Sequence, residues 1–76
     1  MNNINLSFSN ALRKLRTEKG LTQEELAELS GIDYKYLQKL EGKNPSSPTL
    51  DTLSKLACGL NITIAEFVSI VEATEQ

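Results

Sequence analysis

Histidine and tryptophan are absent from this chain of 76 residues, and cysteine occurs once. Without histidine, the commonest general base and the commonest metal ligand are both missing, so a catalytic reading begins without its usual parts. No phosphate-cradling loop or metal-ligand cluster stands in for them, and no catalytic residue, cofactor or metal is expected. The lone Cys58 has no partner for an intramolecular disulfide, which excludes a cross-linked secreted scaffold; it reads as a small, partly buried filler. No apolar run reaches the roughly 18 residues of a membrane span, and no basic start leads into an apolar centre as in a signal peptide. A cytoplasmic location without membrane contact is expected. Room for an effector pocket is also lacking, so no small-molecule effector is expected.

What is present suits one small helical domain over residues 1–76. Apolar residues make up 39% of the chain, enough for one compact core. The net charge of -2 argues mildly against nucleic acid, but its distribution matters more. Residues 1–43 carry seven of the eight basic side chains against six acidic ones, whereas residues 44–76 carry only Lys55 against four acids.

Apolar periodicity predicts five helices and no strand. The first runs from about Ser7 to Glu18 on Phe8, Ala11, Leu12 and Leu15, with Gly20 as its stop. Thr22 and Glu25 make a capping box for the second, which closes near Ser30 and Gly31. Asp33 caps the third after a connection of only Ser30, Gly31 and Ile32. Pro45 and Pro48 then enforce a surface loop. Thr49 opens a fourth helix with Leu50, Leu53, Leu56, Ala57 and Leu60, and Thr63 with Glu66 boxes the start of a fifth. A helix, a three-residue turn containing glycine and a second helix have the spacing of a helix-turn-helix.

The stretch LTQEELAELSGIDYKYLQKLEGK, followed by PTLDTLSKLACGLNITIAEFV, resembles the lambda-repressor-like DNA-binding domain of the Cro and XRE family over about residues 8–68. The resemblance implies an all-α, compact five-helix bundle that docks its third helix in the DNA major groove. On a helical wheel Leu37 and Leu40 share one side of that helix, while Tyr34, Lys35, Gln38 and Lys39 form the opposite arc with Tyr36 at its flank. Those four are the base-reading candidates, at positions where the family reads bases. Lysine can donate to guanine, glutamine can pair both ways with adenine, and tyrosine can meet a phosphate or a thymine methyl. Gln23, in the first turn of the second helix, is a phosphate-contact candidate, because amide donors and the positive dipole end gather there. Lys43, Asn44 and Ser46 are further phosphate candidates. Here the chain departs from the family, since Gly42 directly follows Glu41 and the loop is one residue longer.

Arg16 and Glu41 lean toward the inner faces of their helices, where either charge alone would be costly. The resemblance implies a structural salt bridge between them. In the fifth helix Ile64, Phe67, Val68, Ile70 and Val71 cover an arc wider than the stripe one core contact needs. A homodimer interface through Ile64, Phe67, Val68 and Val71 is therefore expected. The functional expectation is a homodimeric, sequence-specific transcriptional repressor or autoregulator on an inverted-repeat operator in double-stranded DNA. In size and layout the chain is similar to restriction-modification controller proteins and small phage repressors. The alternative is a protein-binding module, such as an antitoxin, using the same fold.

Overall fold

A computed structural model describes residues 3–74 of the chain. Its helices are α1 (Ile4–Glu18), α2 (Gln23–Ser30), α3 (Tyr34–Leu40), α4 (Leu50–Gly59) and α5 (Ile64–Ala73), with no strand among the described residues. Helix α1 starts earlier than the apolar pattern suggests. Asn3 caps it, its side-chain oxygen accepting from the amides of Asn5 and Leu6, and a polar cap leaves no trace in hydrophobic periodicity.

The remaining starts follow local chemistry. Thr22 with Glu25, and Thr63 with Glu66, form complete capping boxes, and Thr49 accepts from the Thr52 amide. Asp33 accepts from the amides of Lys35 and Tyr36 at 3.0 and 3.2 Å. Gly31 ends α2 at φ 69°, a left-handed conformation that costs glycine little.

Helix α1 packs on α5, while α2 lies against both α3 and α4. Their inner faces form one core containing Phe8, Leu12, Leu26, Leu37, Leu40, Leu56, Leu60 and Phe67. Helix α2 approaches α4 closely at Gly59, where an added Cβ would overlap the Ser30 Oγ. Hydrogen would be the only substituent that fits without movement.

Three sequence expectations are corrected by this packing. Phe67 is fully buried, its ring centroid 5.5 Å from that of Phe8, so it is a core residue and is withdrawn from the dimer surface. Val71 is buried beside it. Helix α5 wraps more deeply than a narrow stripe requires because α1 and α4 both pack on it. Cys58, in contrast, is exposed: it lies on the side of α4 away from Leu56, Ala57 and Leu60. Among the described residues, no single helix is long and apolar enough to cross a membrane.

Candidate nucleic-acid interface

Helix α3 has seven residues, too few for an isolated helix to persist in water. The local Asp33 cap holds its start, and tertiary contacts hold its finish and one side. Leu37 and Leu40 are fully buried, and Tyr36 packs half-buried against the core. Tyr34, Lys35, Gln38 and Lys39 are exposed together on the outer arc. Between Tyr34 and Gln38 runs a hydrogen bond of 3.0 Å, donated by Gln38 Nε2 to Tyr34 Oη.

The C-terminal end of α3 is held by a charged network. Arg16 donates from Nε to Glu41 Oε2 at 2.7 Å and from Nη2 to Glu41 Oε1 at 2.9 Å, a forked pairing of the strongest kind. The Glu41 side chain is 2% exposed and that of Arg16 14%. Arg16 also donates to the Leu21 carbonyl at 2.8 Å, so one side chain joins α1, the α1–α2 turn and the end of α3. The hydrogen bond to Glu41 raises the Arg16 guanidinium above its ordinary value, against the opposing effect of burial.

Gln23, half-buried at the start of α2, enters this network by donating from Nε2 to Glu41 Oε1 at 3.1 Å. Its amide is therefore oriented by Glu41, with a second N–H remaining. Lys43 and Asn44 are exposed just beyond, and Ser46 is half-buried in the same loop.

Sequence reasoning missed Ser9 and Arg13. Arg13 Nη2 donates to the Glu41 carbonyl at 2.8 Å, and Ser9 Oγ donates to the Gly42 carbonyl at 3.1 Å. Two side chains of α1 thereby bind carbonyls at the end of α3, where backbone acceptors lack helical partners. The available signal was spacing: Arg13 stands three residues before Arg16, on a neighbouring part of the same helix face.

This surface belongs to a recognisable pattern, for residues 12–67 match the family described as Helix-turn-helix. The chain belongs to the helix-turn-helix family. Helices α2 and α3 are the motif itself. Among relatives, the control protein C.MunI of Mycoplasma sp is 42% identical over 95% of this chain and 97% of its own length. The helix-turn-helix transcriptional regulator SutR of Escherichia coli (strain K12) is 39% identical over 91% of this chain, which spans only 38% of that protein.

Solved structures agree with this family assignment. The restriction-modification controller protein C.AhdI from Aeromonas hydrophila superposes with a TM-score of 0.77 and 41% identity, covering 83% of this chain and 94% of that one. The controller protein C.Esp1396I bound to a 19 base pair DNA duplex superposes with a TM-score of 0.84 and 30% identity, covering 93% of each chain.

Proposed function

We propose that this helix-turn-helix protein is a cytoplasmic, DNA-binding transcriptional regulator that represses from an inverted-repeat operator as a homodimer. The observation that carries this reading is the outer arc of α3, where Tyr34, Lys35, Gln38 and Lys39 stand exposed on a helix anchored at both ends. An α-helix of this kind fits the major groove, and its side chains reach base edges while loops and helix starts meet phosphates. Gln23, Lys43, Asn44 and Ser46 are assigned the phosphate role. A controller-protein structure bound to a DNA duplex and relatives named as transcriptional regulators support the reading. The antitoxin alternative gains no support from these relatives. No catalytic step is assigned to any residue.

Dimerisation is assigned to the exposed part of α5. Ile64 and Val68, one turn apart, are 36% and 40% exposed. Val68 borders an apolar groove lined also by Ile4, Phe8, Leu53 and Val71. Ile4, on the rim of the same groove, is exposed as well, so Val68 and Ile4 present apolar surface to water there.

Electrophoretic mobility shift and footprinting on the DNA immediately upstream of the chain's own coding sequence test the proposal. Protection of an inverted repeat with half-sites about ten base pairs apart is expected. Equal affinity for that fragment and for unrelated duplexes at all salt concentrations would exclude sequence-specific regulation.

A further inference from the structure

The bond between Gln38 and Tyr34 bears on which base α3 reads. We infer that Gln38 is an adenine reader and that Tyr34 is its positioning residue, holding the Gln38 amide in the orientation adenine requires; this rests on the DNA-binding reading above. A primary amide carries two N–H donors and one acceptor. Donation of one N–H to Tyr34 Oη at 3.0 Å leaves Oε1 and one N–H for a base edge. That acceptor–donor pair matches the N6 amino group and N7 of adenine, whereas guanine presents acceptors at O6 and N7 and would face Oε1 with repulsion. The Tyr34 hydroxyl keeps its own proton, and DNA offers it phosphate oxygens as acceptors. While Tyr34 donates outward, its oxygen is available to Gln38 as acceptor only, which disfavours the flipped amide. Water exclusion in the groove strengthens both links of this chain. Lys35 and Lys39 have donors alone and lack the acceptor that adenine N6 needs.

Selection from a randomised duplex library, followed by titration of the selected site, tests the assignment with the full chain and its Gln38→Ala and Tyr34→Phe variants. Both positions are exposed, and circular dichroism verifies that the variants fold. The parent is expected to select adenine over guanine by about ten-fold or more at one position in each half-site. Gln38→Ala should abolish that preference alone, and replacing the adenine by 7-deazaadenine should weaken the parent but not this variant. Tyr34→Phe should reduce the same preference by about three- to ten-fold beyond any uniform loss of affinity. A Tyr34→Phe protein that binds all sites more weakly yet keeps full adenine preference would overturn the positioning role. Unchanged base preferences in Gln38→Ala would overturn the reader assignment. A parent that enriches no sequence would instead overturn the DNA-binding reading itself.

Discussion

Glu41 shows how one side chain takes on several tasks at the residue scale. Its carboxylate accepts from Arg16 twice and from Gln23 once, and water reaches the Arg16 side chain more than that of Glu41. Arg16→Met should destabilise the domain by about 3–5 kcal/mol, because it strands a buried carboxylate. Glu41→Gln should cost less, about 1–3 kcal/mol, since the remaining guanidinium keeps the Leu21 carbonyl and some solvent. Urea denaturation of both variants checks the order, and equal losses would contradict it. Because the folded state raises the Arg16 value, its contribution is fully present below the unfolded value and disappears only above the arginine range. Titration of Arg16 therefore leaves stability unchanged at physiological pH.

A second residue-scale prediction concerns the close approach of α2 and α4. Gly59→Ala should cost about 1–3 kcal/mol, because the new methyl overlaps Ser30 Oγ. That hydroxyl has no hydrogen-bond partner among the described residues, so Ser30→Ala alone should be neutral or mildly stabilising. Introduced into Ser30→Ala, the Gly59→Ala change should cost distinctly less. A double-mutant cycle by thermal melting measures the coupling.

At the scale of elements, α3 depends on contacts at its ends more than on its own propensity. Asp33 binds two amides at its start, while Arg13 and Ser9 bind carbonyls just past its finish. Asp33→Ala should cost about 1 kcal/mol, and Asp33→Asn only a fraction of that, because asparagine also accepts at an N-cap. Hydrogen exchange of the α3 amides provides the local measurement. Faster exchange in α3 than in α1 is expected for Asp33→Ala, since only the short helix relies on this cap.

The whole molecule measures 33 × 23 × 23 Å, large enough for one α3 to occupy one groove. Successive major-groove faces lie about 34 Å apart, so a two-fold pair of such domains is the natural unit for an inverted repeat. Val68→Glu should convert dimer to monomer while preserving helicity, because the side chain already meets solvent. Phe67→Glu should instead unfold the domain, since it places a charge against Phe8 in the core. Sedimentation velocity and circular dichroism separate these outcomes. A folded Val68→Glu protein that remains dimeric would remove Val68 from the interface.

Local chemistry made the five helices, the helix-turn-helix spacing and the outer arc of α3 legible in the sequence, although the seven-residue α3 needs tertiary contacts to persist. Capping boxes, Gly31 and the two prolines act through near neighbours, so they are legible residue by residue. The inward lean of Arg16 and Glu41 was legible too, although their forked geometry was not. Only tertiary structure separated Phe67 and Val71 from Ile64 and Val68. All four are apolar on one helix, and hydropathy cannot distinguish a face covered by α1 from one left in water. The place of Arg13 beside Arg16 on α1 was legible, but its role and that of Ser9 were not. Their partners are carbonyls of Glu41 and Gly42, 28 and 33 residues away, and a backbone acceptor has no side-chain identity by which a sequence could reveal it.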